Sequence, residues 1–195
     1  FIEKFPGHLP TLMSKLPWQL TSKASVEILK IQASLGVDYN IHGGIAIHTS
    51  AVLESNVTLK APVIIGPDCF IAANCYLRGG VFLIGHNSIG PGCEIKSSFI
   101  FPNSNLAHFN FVGDSVIGSH VNFEAGSIIA NHFNERNDKE ISVMINGTRV
   151  ETKCEKFGAL VGDGSKIGAN AVLSPGTILN PNSIVRRLEL IDQSE

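Results

Sequence analysis

An apolar residue recurs at every sixth position through most of this 195-residue chain. The series has eleven consecutive members over 41–101, four over 111–129 in a different phase, and five over 161–185. Every member is apolar although only 44% of the chain is hydrophobic, so composition alone does not explain the period. A short fixed period predicts a β-solenoid, in which each repeat buries its apolar face only by stacking on its neighbours.

Three such repeats close one triangular coil, so residues one coil apart stack about 4.8 Å from each other. The fifth place of most repeats holds a small or β-branched residue that faces the inside of the coil. Cys69, Cys75 and Cys93 occupy this place. Because no CxxC pair is present, the cysteines indicate neither a zinc knuckle nor a redox dithiol, and we expect these three to be buried apolar residues.

Charge and hydropathy exclude several classes of partner. The formal net charge of −2 and the pI near 6.4 give no general attraction for nucleic acid or for an anionic membrane. No apolar run reaches the roughly 18 residues of a membrane-spanning helix, and the start of the chain lacks the order of a secretory signal. These features favour a reduced, cytoplasmic enzyme or scaffold.

The pattern divides the chain into segments. Apolar residues at helical spacing predict an N-terminal helical cap over 1–40, with helices near 9–16 and 22–35 that pack against one end of the solenoid. The solenoid is expected over 41–185, with an insertion at 132–158 and a C-terminal tail at 186–195. Alternation around Asn146-Gly147 predicts a β-hairpin in the insertion, which would cover a groove or clasp a neighbouring subunit.

The period fails around one histidine. Phe101 and Phe111 are ten residues apart rather than six or twelve, and His108 lies between them. Irregularities in a repeat are where function is expected, since repetition alone is enough for the fold. Glu94 lies about one coil upstream and would accept the Nδ1–H of His108, which leaves the other ring nitrogen free to act as a general base.

A column of cations is also predicted from the stacking. Lys60, Arg78 and Lys96 occupy the same place in successive coils, and His42 is next in line. Like charges one strand apart repel each other, so either an anion such as phosphate binds between them or the long side chains spread into water.

The remaining histidines fall at turns and corners, where a solvated imidazole is the simplest expectation. Some β-helix enzymes are zinc carbonic anhydrases, but the close histidine pair with a third ligand is not found here. A metal-dependent enzyme is therefore the weakest alternative, and we assign no metal ligands.

Several longer stretches resemble a known family. They read "YLRGG", "EIKSS", "LAHFNFVGDSVIG", "VNFEAGSIIAN" and "EKFGALVGDGSKIGANAVLSPGT". The chain resembles the hexapeptide-repeat acyltransferases, above all the acetyltransferase half of bifunctional glucosamine-1-phosphate acetyltransferase/N-acetylglucosamine-1-phosphate uridylyltransferase and the C-terminal domains of archaeal sugar-1-phosphate nucleotidylyltransferases. The resemblance implies an all-β solenoid of the left-handed parallel type, whereas the general crossover rule would give a right-handed one.

The resemblance also implies roles for individual residues. His108 would be the catalytic base, Glu94 its orienting carboxylate, and Asn131 a residue where sugar and acyl donor meet. The acceptor sugar would contact Arg78, Lys96, Asn122, Lys156 and Phe111, and the coenzyme A path would follow Ala125, Gly168 and Ala169. Two positions depart from the family pattern: Phe111 stands where a tyrosine contacts the sugar, and Glu124 replaces a glycine.

The leading hypothesis is therefore acetyl transfer from acetyl-CoA to the amine of a phosphorylated or nucleotide-linked amino sugar, in nucleotide-sugar metabolism. Backbone N–H groups near Asn131 and Gly168 would stabilise the oxyanion. The resemblance implies a homotrimer with active sites between subunits. The alternative is a non-catalytic β-helix module that binds a sugar phosphate or a partner nucleotidyltransferase, and Phe111 and Glu124 keep it open.

Overall fold

A computed structural model describes residues 1–193 of the chain. It is a parallel β-solenoid of about eight turns with few helices, and the predicted fold class, a left-handed parallel β-helix, is confirmed. The helices are α1 Phe5–His8, a 3-10 turn at Pro10–Leu12, α2 Pro17–Ser22 and α3 Ala24–Gln32. The strands are β1 Tyr39–His42, β2 Ile45–His48, β3 Val52–Leu53, β4 Thr58–Leu59, β5 Val63–Ile65, β6 Phe70–Ile71, β7 Tyr76–Leu83, β8 Ser88–Ile89, β9 Glu94–Ile100, β10 Asn105–Leu106, β11 Phe111–Gly113, β12 Val116–Ile117, β13 Asn122–Phe123, β14 Ile128–Ile129, β15 Ser142–Ile145, β16 Thr148–Glu151, β17 Ala159–Val161, β18 Lys166–Ile167, β19 Val172–Leu173, β20 Thr177–Leu179, β21 Ile184–Val185 and β22 Leu190–Ile191.

The coils stack into a prism with three faces. The first face contains β3, β6, β8, β10, β13, β18 and β21. The second runs through β4, the starts of β7 and β9, and then β11, β14, β19 and β22. The third runs through β2, β5, the ends of β7 and β9, and then β12, β17 and β20. Strands β7 and β9 pass through the corner between the second and third faces, so they belong to both.

The inside of the prism is a stack of aliphatic residues, as the period predicts. Ile65, Leu77, Ile89 and Ile95 have no exposed surface. Cys69, Cys75 and Cys93 fill the inward corners with at most 1% exposure, which confirms their predicted burial. Each coil thus buries its apolar side on the coils above and below, and the strands, only two or three residues long on most faces, gain their stability from stacking.

The period breaks at a different place from the one predicted. Leu77 stacks on Ile95 at a spacing of 18 residues, but beyond the corner Leu83 stacks on Ile100 at a spacing of 17. The coil therefore loses one residue at 96–98, and the next coil keeps the shorter length, because Ile100 stacks on Ile117. Phe101 faces outward instead of into the interior. It belongs to a second apolar cluster, which lies outside the prism and includes Trp18 and Ile28 of the N-terminal helices.

Phe111 also faces outward, and its neighbour Val112 takes the inward position. The apparent gap at His108 arises because Phe101 and Phe111 are apolar but do not belong to the inward series. The irregularity in the fold lies in the segment after Ile95 and in the segment after Val112, at the corner between the second and third faces.

The N-terminal helices cover the third face rather than one end of the solenoid. Helix α3 packs against β5, β7 and β9, and α2 packs against β9. Outward residues of this face, among them Ile64 and Phe99, join Trp18 and Ile28 of the helices in the second apolar cluster. The solenoid does not begin at 41 as predicted, since β1 is antiparallel to β2 and forms a hairpin with it.

The predicted hairpin of the insertion is present. Strands β15 and β16 are antiparallel, and the turn residues Asn146 and Gly147 both have positive φ, as a type I′ turn requires. The insertion packs on the third face of its own chain beside the helices, where Phe157 meets Trp18 edge to face with ring centroids 5.9 Å apart. In this subunit the hairpin therefore extends the cover over the third face.

The C-terminal segment continues the solenoid instead of forming a tail. Leu190 and Ile191 pair in parallel with Val172 and Leu173. Of the predicted tail 186–195, residues 194–195 lie outside the described residues. Within residues 1–193, no helix has the length and apolar character needed to cross a membrane.

The buried cysteines lead to a prediction about thiol reactivity. Burial raises the pKa of Cys69 and Cys93 to about 11 and also raises the pKa of Cys75, so all three thiols stay protonated at pH 8. Because the thiolate is the reactive form, we expect Ellman's reagent to modify at most one thiol of the native protein, Cys154, and all four in guanidinium chloride. Cys154→Ser is the control and should abolish the native reaction. Fast modification of three or more thiols in the native protein would contradict the buried stack.

Candidate active site

His108 lies at the corner between the first and second faces. Its backbone carbonyl accepts the N–H of Gly126 at 2.8 Å, and the next residue, Phe109, donates its N–H to Pro91 O at 3.1 Å. These bonds fix the backbone of the corner between the coils below and above. The imidazole is exposed, and it has no hydrogen-bond or ion-pair partner among residues 1–193. It is therefore accessible to a ligand.

Glu94 lies on the second face, paired in register with Phe111 of the next coil. Its Oε1 accepts from both Nε and Nη2 of Arg78 at 2.7 Å, and the Arg78 guanidinium lies 5.8 Å from the ring centroid of Tyr76. The carboxylate thus interacts with Arg78 and not with His108 in this subunit. The orienting role of Glu94 stays a prediction.

A second polar cluster lies at the corner between the second and third faces. The ammonium of Lys96 and the side-chain amide of Asn131 both contact the same oxygen, Oδ2 of Asp114. The side chain of Asp114 is 6% exposed and that of Lys96 is 17% exposed, so this ion pair is largely shielded from water. Shielding makes the pair electrostatically stronger than a surface ion pair.

The basic column is confirmed as an arrangement of the backbone but not as an unpaired row of charge. Arg78 and Lys96 are register partners in β7 and β9, and Lys60 donates its N–H to Leu77 O at 2.8 Å. His42 does not continue the column, because the hairpin with β2 takes it out of the coil. The two carboxylates described above neutralise the upper two cations. Repulsion within the column is therefore relieved by carboxylates of the same chain, and neither of the two alternatives that the sequence left open, a bound anion or side chains spread into water, is needed for Arg78 and Lys96.

Phe111 and Lys156 lie near Asn131, one member of the Lys96–Asp114–Asn131 cluster. A Cβ placed on Gly113 would be 2.8 Å from Cζ of Phe111 and 2.9 Å from Cγ of Asn131, so the absence of a side chain at Gly113 lets the ring and the amide approach. Lys156 is exposed, and the following residue, Phe157, donates its N–H to Asn131 O at 3.1 Å.

The remaining predicted residues lie around the His108 corner and on the first face. Ala125 is next to Gly126 above His108, and Gly168 and Ala169 occupy the same corner one coil further on, where Asn170 N–H donates to Ala125 O at 3.0 Å. Asn122 points outward on the first face, whereas Glu94, Arg78 and Phe111 are on the second face. One subunit therefore does not bring Asn122 together with the Arg78–Glu94 pair.

The backbone N–H of Gly168 is not available to an oxyanion. It donates to Val185 O at 2.9 Å, and the N–H of Ala169 donates to the Glu124 carboxylate at 2.9 Å. The Gly168 N–H therefore does not serve as the expected oxyanion donor in this subunit, because the stacking of the next coil uses that group, and an oxyanion donor near Asn131 stays a prediction.

Glu124, the residue that replaces a glycine, forms an ion pair across two coils. Arg187 donates to both of its oxygens at 2.8 Å. The guanidinium and the Ala169 N–H hold the pKa of the Glu124 carboxyl below its usual value. Its negative charge is therefore matched by a cation of the same chain.

Sequence reasoning missed Asp114, although the residue ends the stretch "LAHFNFVGD". The available signal was the pair of serine-containing segments "KSS" and "GDS" at the shortened corner, where Ser98 and Ser115 are buried and bond to backbone groups of neighbouring coils. Residues 1–193 contain no group of three or more histidine, cysteine or acidic side chains positioned to hold a metal ion.

The sequence of this chain is similar to those of several known proteins. No family model matches the chain. The bifunctional protein GlmU of Methanococcus maripaludis is 39% identical over 181 residues, which are 90% of this chain and 43% of that protein. The bifunctional sugar-1-phosphate nucleotidylyltransferase/acetyltransferase of Sulfurisphaera tokodaii is 35% identical over 112 residues, 54% of this chain and 27% of that protein. The chain spans less than half the length of these curated relatives.

Solved structures show more distant similarity. The N-acyltransferase AntD of Bacillus cereus, crystallised as a point mutant with dTDP-4-amino-4,6-dideoxyglucose and coenzyme A, has a TM-score of 0.45 and 16% identity over 71% of this chain and 74% of that chain. The acetyltransferase domain of PglB from Neisseria gonorrhoeae has a TM-score of 0.45 and 12% identity over 94% of this chain and 71% of that one.

Proposed function

This chain is a homologue of the bifunctional GlmU proteins, and we propose on that premise that it transfers an acetyl group from acetyl-CoA to the amine of an amino-sugar phosphate or a nucleotide-linked amino sugar. The observation that carries the proposal is the arrangement along the second face of the prism. The exposed His108 lies at the corner with the first face, Phe111 and the Arg78–Glu94 pair lie on the face itself, and the Lys96–Asp114–Asn131 cluster lies at its other corner. The cations suited to a phosphate and the exposed base suited to an amine thus belong to one face of the prism.

In the proposed reaction the sugar amine attacks the thioester carbonyl of acetyl-CoA while His108 accepts the proton that the amine loses. The new C–N bond forms through a tetrahedral intermediate, and the C–S bond then breaks. The imidazolium returns its proton to the departing coenzyme A thiolate, so His108 ends the cycle neutral. A positioned base of this kind contributes about 10²–10⁴-fold to the rate.

The cations of the second face would orient the acceptor. Arg78 presents a planar fork suited to phosphate oxygens, and Lys96 presents a compact charge one strand away. Coenzyme A would run along the corner that contains Ala125 and Ala169, with Asn131 between donor and acceptor. For coenzyme A to bind along this corner, the Glu124 carboxylate must move away from the Ala169 N–H, or the coenzyme must bind between these two groups.

A homotrimer is part of the proposal. Asn122 is separated from the Arg78–Glu94 pair by a whole corner of the prism, so a second copy would supply the other wall of the groove. The cytoplasmic location stays a prediction from the sequence.

The direct test is a panel of free amino sugars, their 1-phosphates and nucleotide-linked amino sugars, incubated with acetyl-CoA while thiol release is followed. Saturable release with a phosphorylated or nucleotide-linked acceptor, above the hydrolysis rate without acceptor, supports the proposal. Release at the hydrolysis rate with every member of the panel would contradict it.

A non-catalytic binding module is the second candidate, and the Glu124 contact favours it. The carboxylate occupies the Ala169 N–H, which lies on the proposed coenzyme A path. A saturating increase in melting temperature with acetyl-CoA supports the enzyme, whereas stabilisation by a sugar phosphate alone supports the module.

Phe111→Tyr should improve the use of glucosamine-1-phosphate. The added hydroxyl extends from Cζ, which lies beside Gly113 and Asn131, and provides the sugar hydrogen bond that the family resemblance implies. One such bond is worth about 1 kcal/mol, so kcat/KM should increase about fivefold. The control is Phe70→Tyr, which adds the same hydroxyl to an outward residue of the first face. An equal or lower kcat/KM for Phe111→Tyr would show that position 111 does not contact this sugar.

A further inference from the structure

The corner that shortens the coil contains a buried aspartate in the left-handed conformation. Asp114 has φ of 46°, in the left-handed region that residues other than glycine rarely adopt, and only 4% of its surface is exposed. Ser97, in the same corner one coil below, has φ of 49°. Backbone bonds lock this geometry, since Asp114 N–H donates to Lys96 O at 2.8 Å and Asp114 O accepts from Gly158 N–H at 2.9 Å.

One oxygen of the Asp114 carboxylate, Oδ2, contacts two side chains of the candidate site. Lys96 belongs to the coil below Asp114, and Asn131 belongs to the coil above it. A buried carboxylate is costly unless it is paired, and removing one partner of such a pair leaves the other charge uncompensated. The arrangement therefore has a definite geometry rather than the freedom of a surface ion pair.

The contact with Asp114 also fixes the orientation of the Lys96 side chain. Arg78 lies directly below Lys96, and repulsion between the two cations would drive the lysine chain out into water. The Arg78 charge is already neutralised by Glu94, and Asp114 draws the Lys96 ammonium toward the upper coil and Asn131. The two cations are thereby held apart, each with its own carboxylate.

We propose that Asp114 is a positioning residue for the acceptor: it holds Lys96 toward the sugar phosphate and fixes the amide of Asn131 between acceptor and acyl donor. This inference rests on the proposed function. Asp114 acts through these two neighbours, and its carboxylate makes no contact with a reacting atom.

Asp114→Asn is the informative variant, because asparagine tolerates the left-handed conformation and keeps the shape of the side chain. Losing a charge-assisted bond of the usual strength should raise the KM for the acceptor about tenfold. The KM for acetyl-CoA should change less, by about twofold, because Asp114 acts on the donor only through Asn131 but on the acceptor through both Lys96 and Asn131. A matched control is Asp68→Asn, which changes an aspartate with φ of 53° at a different corner, where it faces His86.

A double-variant cycle separates positioning from a general structural role. If Asp114 acts partly through Lys96, Asp114→Asn should raise the acceptor KM by a smaller factor in a Lys96→Met background than in the parent, because only its action through Asn131 remains. An equal fold-change in both backgrounds would overturn the inference, and so would an unchanged acceptor KM in the single variant.

A second pair of variants leaves Asp114 in place, which covers the case in which Asp114→Asn does not fold. Lys96 and Asn131 donate to the same oxygen, so Lys96→Gln and Asn131→Ala should couple. Their combined effect on the acceptor KM should differ from the product of the single effects by about threefold or more. A combined effect equal to the product would argue against a shared anchor.

Chemical labelling tests the anchor without any enzymatic assay. An amine-reactive reagent, followed by peptide mass spectrometry, measures how accessible Lys96 is. Release from Asp114 in Asp114→Asn should increase its labelling rate about tenfold, and Asp68→Asn should leave it unchanged. An unchanged rate in Asp114→Asn would overturn the inference. A parent protein that acetylates no member of the panel, but shows the labelling change, would instead refute the proposed function and leave the anchor in place.

Discussion

Replacing His108 with alanine is expected to reduce kcat for acetyl transfer at least about a hundredfold, the lower end of what a general base contributes. The imidazole is exposed and makes no side-chain bond within residues 1–193, so its removal should not disturb the solenoid. The melting temperature of the variant should therefore equal that of the parent. Steady-state kinetics with the best acceptor of the panel, together with thermal unfolding, measures both quantities.

His42→Ala is the matched control for this change. His42 is exposed like His108 but lies on the hairpin before the first coil, far along the chain from the candidate site. We expect its kcat to be the same as that of the parent. Equal rates for His108→Ala and the parent would remove His108 from the mechanism and favour the binding module.

Gly90→Ala is expected to have the second large effect, on stability and activity together. A Cβ at this position would overlap the carbonyl oxygen of Ala107 in the coil above and lie 2.6 Å from its carbonyl carbon. Both are backbone atoms, so relief requires the coils to separate, and Gly90 N–H also donates to Leu106 O at 2.8 Å. Overpacking of this kind costs about 3 kcal/mol. Because Ala107 precedes His108, the displaced backbone should also lower kcat.

Gly36→Ala is the control, since a Cβ there meets no atom within 4 Å. Its free energy of unfolding should stay within about 0.5 kcal/mol of the parent value. Urea denaturation of the three proteins measures the difference. A Gly90→Ala protein as stable as the parent would mean that the coils of the solenoid are less tightly stacked at this corner than the structure shows.

The solenoid could be predicted from the sequence because stacking imposes the same requirement on every coil. An inward position must be apolar whatever the rest of the repeat contains, so the six-residue period is visible in the amino-acid sequence. The phase after Ile95 could not be predicted, since Phe101 and Phe111 satisfy the apolar pattern while serving other surfaces. Phe101 packs under the N-terminal segment, with its ring 5.4 Å from that of Phe5.

The sequence predicted a set of residues for the candidate site, but not the ion pairs and hydrogen bonds that these residues form. Spacing placed Arg78 and Lys96 in one column, and the register confirms that placement. Their carboxylate partners could not be assigned from spacing, because a side chain at a corner can reach either the coil above or the coil below. Asp114 was missed for a related reason: its role depends on a left-handed backbone conformation that the surrounding letters do not specify.

The covered third face has a consequence for symmetry. A prism with one side closed by its own helices and hairpin has only two sides left on which a copy can dock, and those sides are not alike. Contact between unlike sides is head-to-tail, and such contacts close into a ring when the rotation between neighbours divides a full circle. The angle of a triangular prism suits a threefold rotation. In the proposed homotrimer, every copy would therefore turn its helices and hairpin away from the threefold axis.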